Sequence, residues 1–273
     1  MILKTKFILV LAILSLFALS SHVSASDNAE KIMESAHHAL LYQGDMKRAL
    51  VKMTISDANG NKRKRKFYSL RLDKDSPEKE ADAGRGEQYY YLYFERPADI
   101  KQTSFLVHKH PESDDDRWLY LPALDLVKRI APGDKRTSFV GSTFFYEDIS
   151  GRSLIEDNHQ KESEDDNYHV VRSTPKDEGS VEFSSYRTWI HKGTSLPVKI
   201  EYFDKNNELY RVCENQKVES IEGKTTAIKG IMKDLKRGEQ TVIESSRITY
   251  QTELPEDIFS ERYLRNPPKQ YFK

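Results

Sequence analysis

Apolar and polar positions along this chain follow two periods, helical at the start and strand-like almost everywhere else. Between Asp27 and Ala49, the residues Ile32, Met33, Ala36 and Leu40 recur at helical spacing. Asp27 stands at a capping position with Glu30 three residues on, so an amphipathic helix is expected there, loosened or ended near Gly44. From Ala49 to Ser56 the period drops to two, with Val51, Met53 and Ile55 set against Lys52 and Thr54, and alternation resumes over Arg65–Leu72. Asn59-Gly60 between these runs signals a β-hairpin. Further strands are expected over Gln88–Glu95, Ser104–Lys109, Arg117–Leu121, Leu126–Ile130, Tyr168–Ser173, Val181–His191, Pro197–Phe203, Leu209–Val218, Thr225–Leu235 and Gln240–Tyr250. Turn signals at Asp204–Asn207, Glu222-Gly223 and Arg237-Gly238 make these successive antiparallel neighbours. Leu254–Leu264 reads as a short helix opened by Pro255, followed by a stiff Pro267-Pro268 tail.

The polar stretch Lys74–Glu87 interrupts the pattern and reads as an exposed loop. The first residues carry Lys4 and Lys6, an apolar run from Phe7 to Leu19 and then Val23-Ser24-Ala25, the order of a secretory leader cut after Ala25. The remaining residues 26–273 fit a single domain, mainly β with a few helices. Without Lys4 and Lys6 the 43 basic side chains become 41 against 43 acidic ones, a balance that does not call for nucleic acid. Cys213 is the single cysteine, so there is no internal disulfide and the fold rests on its apolar core.

Bulk is concentrated where chemistry is not. In Gln88–Glu95 one face carries Tyr89, Tyr91 and Tyr93 and the other Tyr90, Leu92 and Phe94. Either the strand is central and covered on both sides, or one side packs the core while the other lines a groove. Trp118 and Tyr120, against Leu119 and Leu121, repeat the pattern. With Phe105, Phe139, Phe144 and Phe145, these aromatics are candidates for the wall of an apolar cavity, and Tyr90, Leu92, Phe94, Trp118 and Tyr120 are the strand residues assigned to it. Lys128, Arg129, Lys135 and Arg136 bracket a short loop beside this block. They are either the solvated side of an edge strand or a cationic rim for a head group or an anionic membrane surface. The run Lys62–Lys66 offers the same pair of readings on a hairpin.

Catalytic sets are not legible. His108, His110 and Asp114–Asp116 match no zinc spacing, and His37-His38 cannot share one helix face, so neither a metal nor any other cofactor is expected. Val140-Gly-Ser-Thr-Phe144 lacks the second glycine of a nucleophile elbow, and adjacency of Glu147 and Asp148 says nothing about facing carboxylates. Cys213, inside a strand pattern, reads as a buried thiol.

Taken in order, Phe94-Glu-Arg-Pro-Ala-Asp-Ile100, Thr103-Ser-Phe-Leu106, Asp116-Arg-Trp-Leu-Tyr-Leu-Pro-Ala-Leu124, Lys128-Arg-Ile130 and Phe139-Val-Gly-Ser142 with Phe145-Tyr-Glu-Asp148 resemble the outer-membrane lipoprotein-sorting family, in its larger LolA-like subgroup. The likeness runs over residues 45–260 and is most specific over 94–148. Two positions depart from the family pattern: Gln102 stands where glycine is expected, and Thr143 where an acid is expected. The resemblance implies an incomplete, strongly curved antiparallel β-barrel with helices on its concave side. It also implies a monomeric, non-enzymatic periplasmic carrier in a Gram-negative-type envelope. Such a carrier would bind lipid or lipoprotein acyl chains, touch membranes transiently and receive cargo from an inner-membrane exporter. The competing expectations are an accessory subunit of an export system without lipid cargo, and, more remotely, a secreted hydrolase.

Overall fold

The computed structural model describes residues 25–74 and 86–272. The expected leader, apart from Ala25, and most of the polar stretch 74–87 therefore lie outside the described residues. The described residues open with helix α1 (Ala25–His37), which runs into a single π-helical turn, His38–Tyr42. Gly44, at φ +69°, then lets the backbone reverse into strand β1 (Met46–Ser56). The helical run ends ahead of Gly44 as expected, but α1 begins two residues before Asp27, which therefore lies inside it and not at its cap position, and Met46–Ala49 belong to the strand.

β1 pairs with β2 (Lys62–Asp73) in a hairpin whose turn has Gly60 at φ +81°, with the Asp57 carboxylate accepting the amides of Asn59 and Asn61. The order continues through β3 (Gln88–Arg96), β4 (Ser104–Lys109), β5 (Asp116–Leu121) and β6 (Leu126–Ile130). A long segment, residues 131–156, follows and contains the short helix α2 (Tyr146–Ser150). The second run is β7 (Asp157–Glu164), β8 (Tyr168–Pro175), β9 (Phe183–His191), β10 (Pro197–Asp204), β11 (Leu209–Ile221), β12 (Lys224–Asp234) and β13 (Glu239–Thr249). Two short turns, Glu256–Phe259 and α3 (Arg262–Arg265), stand where one C-terminal helix was expected.

The thirteen strands of the described residues form one antiparallel sheet in the order β6-β5-β4-β3-β2-β1-β13-β12-β11-β10-β9-β8-β7. Two antiparallel meanders are sewn together by the β1–β13 pair, which leaves β6 and β7 as the free edges and the sheet open. This agrees with the expected mainly-β, curved, incomplete barrel. Because β6 and β7 are consecutive in the chain yet lie at opposite edges, residues 131–156 must cross from one edge to the other. Their side chains pack against one face of the sheet: Phe139 and Tyr146 join Tyr90, Leu92, Phe94, Phe105, Met53 and Ile55 in one core. On the same face, α1 supplies Ala29, Met33 and Ala36 to a second cluster with Phe183, Tyr186, Tyr202 and Tyr210.

The opposite face of β1–β5 is closed by the C-terminal segment, where Leu254, Ile258, Phe259 and Leu264 cover Leu70, Tyr89, Tyr91 and Leu106. Phe272 stacks on Tyr68 and Tyr93 at ring-centroid distances of 5.1 and 4.9 Å. β3 is therefore covered on both sides, which explains its doubly aromatic sequence. β7 escaped prediction because it is an edge strand with only Asp157 and His159 buried.

Candidate functional site

Between the sheet and its cover lies an apolar hollow of two adjoining lobes. The larger, about 230 Å³, is walled by Ala49, Val51 and Met53 of β1, Phe67 of β2, Tyr90 and Leu92 of β3 and Ile243 of β13, and reaches Asn215 of β11. The smaller, about 160 Å³, continues over Cys213, Met232, Ile200 and Tyr202. Leu40, Leu41, Phe144 and Asp148 line both lobes and so form the partition and roof between them. β3 and β11 are five strand spacings apart, roughly 24 Å on a flat sheet at about 4.8 Å each. That both touch one lobe follows from the sheet's curl.

The roof is fastened by charge. Arg71, buried on β2, pairs through Nε with Asp73 at 3.0 Å and donates to the carbonyls of Leu41, Gln43 (2.9 Å) and Gly44, the end of the π-helical turn. The Gln88 amide adds bonds to Asp73 (2.8 Å) and to the Leu41 carbonyl (3.0 Å). Burial pushes the Asp73 carboxyl up to about 6, against the pull of Arg71. On the crossing segment, Asp148 pairs with Arg211 of β11, which also donates to the Thr143 carbonyl at 3.0 Å and lies 4.0 Å from the centroid of Phe145. Glu147, 2% exposed, is met by Arg136 (2.6 Å), Arg152 (3.2 Å) and Lys135 (3.4 Å). Burial alone would raise its pKa, but these cations hold it down at about 2. The network reaches the sheet through Arg136–Glu182 (2.6 Å) and Arg152–Asp157 (2.9 Å).

The expected wall residues divide three ways. Tyr90, Leu92 and Phe144 line the hollow. Phe94, Phe105 and Phe139, none of them exposed, are packed core behind it, and the Phe145 ring is approached by the guanidinium groups of Arg211 and Arg136. Trp118 and Tyr120 face the other side of the sheet: Trp118 meets His108 edge-on at 5.1 Å, and Tyr120 lies under Arg265. They do not line either lobe, because the register Tyr91–Leu106–Trp118 puts them on the odd-numbered face of β3.

Nor do the four cations form one rim. Lys128 and Arg129 are exposed on β6, with Arg129 paired to Asp116, whereas Lys135 and Arg136 are buried in the Glu147 network. Within the Lys62–Lys66 run, Lys66 pairs with Glu95 at 2.7 Å and Arg63 donates to the Gly141 carbonyl at 3.1 Å.

Sequence reasoning passed over Lys47, Val51, Met53, Ile243, Ile200, Met232 and Leu41 as wall residues. The signal for β1 was present in its period-two pattern, but nothing local marks which apolar face meets a hollow. Cys213 lines the smaller lobe, and burial pushes its thiol up to about 12. Among the described residues no three His, Cys, Asp or Glu side chains are grouped to hold a metal ion, and no helix is long and apolar enough to cross a membrane. The Ser142 hydroxyl is buried and donates to the Phe139 carbonyl at 2.8 Å.

An open curved sheet, roofed over an apolar hollow, defines a lipoprotein-carrier-like fold, and comparison with known proteins agrees. The chain is 26% identical to a DUF1329 family protein from Desulfovibrio piger, with a TM-score of 0.76 over 88% of this chain and 97% of that one. It is 25% identical to an outer membrane lipoprotein-sorting protein domain from Vibrio parahaemolyticus, with a TM-score of 0.76 over 88% and 99% of the two chains. A LolA superfamily protein from Nitrosomonas europaea shares the fold at 21% identity, with a TM-score of 0.63 over 86% and 98%. None of the curated proteins matches. The chain belongs to the DUF1329-like family, whose model, described as that of an uncharacterized protein, matches residues 86–266.

Proposed function

We propose that this protein is a periplasmic, non-enzymatic carrier that binds an acyl chain of a lipid or lipidated protein in the two-lobed hollow and conveys it toward the outer membrane. The observation that supports this most is the continuity of the apolar wall from Leu92 through Met53 and Ile243 to Met232 and Ile200, beneath a roof made by a single π-helical turn and one crossing segment. The two lobes together have the size of a small-ligand site, which runs from roughly 300 to 1,000 Å³. The name of the Vibrio relative, a lipoprotein-sorting domain, points the same way.

Energetics suit a carrier. Each buried CH₂ contributes about 0.8 kcal/mol, so a chain of ordinary length gives roughly 10 kcal/mol before opening and ordering costs are subtracted. Lifting the roof costs the Arg71 and Gln88 bonds to the π-helical turn, which brings the net affinity into a range that permits release. Native mass spectrometry of protein isolated from bacterial envelopes tests the reading. Co-purifying acyl lipid in a one-to-one complex is expected. Lipid-free protein that also fails to take up added fatty acid would leave an accessory subunit without lipid cargo as the better reading.

A further inference from the structure

The larger lobe is graded in polarity along its length. Inward-facing residues of β1 read Lys47, Ala49, Val51, Met53; their β2 partners are Arg71, Ser69 and Phe67, which line the lobe, and Arg65, which does not. β13 continues the apolar end with Ile243 opposite Met53. From Lys47 to Met53 the wall extends roughly 20 Å at about 3.3 Å per residue, enough for an extended single chain. At the polar end stand Thr225, Thr226 and Tyr250.

Lys47 and Arg71 are directly opposed across the β1–β2 ladder, where like charges destabilise a sheet. Arg71 is neutralised by Asp73 and by three carbonyls. Lys47 has no carboxylate within 4.0 Å among the described residues, and its amine lies over the Tyr250 ring, 5.7 Å from the centroid. Lys224 approaches the same ring at 5.8 Å. Asp148, the acid that lines this lobe, is already engaged by Arg211, and Asp73, which pairs with Arg71 behind the wall, is also bonded to Gln88. A cation lining an apolar lobe, opposed to another cation and lacking an anion, is a site for an anion brought in by the ligand.

We propose that the larger lobe selects a single-chain amphiphile with an anionic head, the head at Lys47 beside Tyr250 and the tail along Val51, Met53, Leu92 and Ile243 toward Phe144. This rests on the carrier reading and adds the head-group class to it. Burial, together with Arg71, pushes the Lys47 amine down to about 8, so it remains mainly protonated at neutral pH.

The test is competitive displacement of a neutral fluorescent fatty-ester probe from the delipidated full-length protein at pH 7, by tetradecanoate, tetradecyl phosphate and tetradecanol. The two anions should bind about tenfold more tightly than the alcohol, the scale of one charge-assisted hydrogen bond. In Lys47→Met that preference should disappear, and Lys47→Arg should retain it. A carboxylate-only preference would identify fatty acids, and equal preference for the phosphate a general anionic head. Wild-type protein that binds alcohol and anions alike, or Lys47→Met that keeps the preference, overturns the proposal and leaves the carrier reading intact. Failure of all three compounds to bind the wild type sinks both.

Discussion

The carboxylate of Asp148, on the segment that crosses the sheet, is ion-paired with the guanidinium of Arg211 on β11, a residue 63 positions further along the chain. Arg211 is 1% exposed, so this bond fixes the roof of the hollow to its wall at a point shielded from water. Removing one partner strands a buried charge. Arg211→Met should lower unfolding free energy by about 3–5 kcal/mol, and the double variant Arg211→Met with Asp148→Asn by distinctly less. Urea denaturation measures both; equal losses would show that the pair is not what binds the segment.

Glu147 links the roof to acid stability. Its folded pKa of about 2 lies below the ordinary 4.5, so its contribution is complete above about pH 4.5 and is lost as pH falls from there toward 2. Burial opposes this direction, and Arg136, Arg152 and Lys135 outweigh it. Denaturation midpoints for wild type should therefore drop between pH 5 and 3 (approximate bounds set by these pKa values). Glu147→Gln should be less stable at neutral pH and flatter across that interval, and an unchanged acid limb would contradict the assignment.

Gln102, exposed in the β3–β4 turn, adopts φ +71° while its amide donates to the Phe94 carbonyl at 2.8 Å. The left-handed conformation costs a non-glycine residue about 1–2 kcal/mol, and glycine's greater unfolded-state entropy offsets about 0.5–1 kcal/mol of that. Gln102→Gly should accordingly stabilise the protein by about 0.5–1 kcal/mol. A loss in thermal or chemical denaturation would mean that the glutamine side chain makes a compensating contact. The family resemblance had marked this position as one where glycine belongs, and the backbone gives the reason. At Thr143, the other departure, the hydroxyl donates to the Met232 carbonyl at 2.8 Å and so satisfies a buried acceptor.

Most of the sheet was legible because a strand with one apolar face announces its period, as β1 does with Val51, Met53 and Ile55. Three things were not. β7 is held by Asp157, which takes the Tyr186 hydroxyl at 2.7 Å, and by His159 against Ser173 at 2.8 Å; polar burial leaves no apolar period to read. The register of the aromatic strands fixed which residues face the hollow, yet both faces of β3 carry equal bulk. Only the distant C-terminal segment decides between them, with Tyr91 donating to the Tyr263 carbonyl at 2.6 Å. The cations also looked alike in sequence, although Lys135 and Arg136 are interior and Arg129 is not, because the Glu147 carboxylate that draws them in lies beyond the turn they flank.

Cys213 provides a built-in reporter of the smaller lobe. With its thiol pushed up to about 12 by burial, it should react slowly with small apolar maleimides at pH 7.5 (a condition chosen near neutrality), on the order of tenfold or more below a free thiol. Arg71→Ala, which frees the π-helical turn, should accelerate labelling, and bound fatty acid should slow it. Mass spectrometry of time-quenched samples reads all three, and labelling indifferent to both the variant and the ligand would place Cys213 outside any accessible hollow.

The hollow itself is tested most directly by uptake of a fluorescent fatty acid by wild type and by Ser245→Trp, whose indole would project from β13 into the larger lobe. Wild type is expected to take up the probe saturably at one molecule per chain. Ser245→Trp should keep its fold by circular dichroism and lose affinity by about tenfold or more, since an indole filling the lobe forfeits the burial of several CH₂ groups of the ligand. Equal uptake by a folded Ser245→Trp, or no uptake by wild type, would contradict acyl-chain binding between the sheet and its roof.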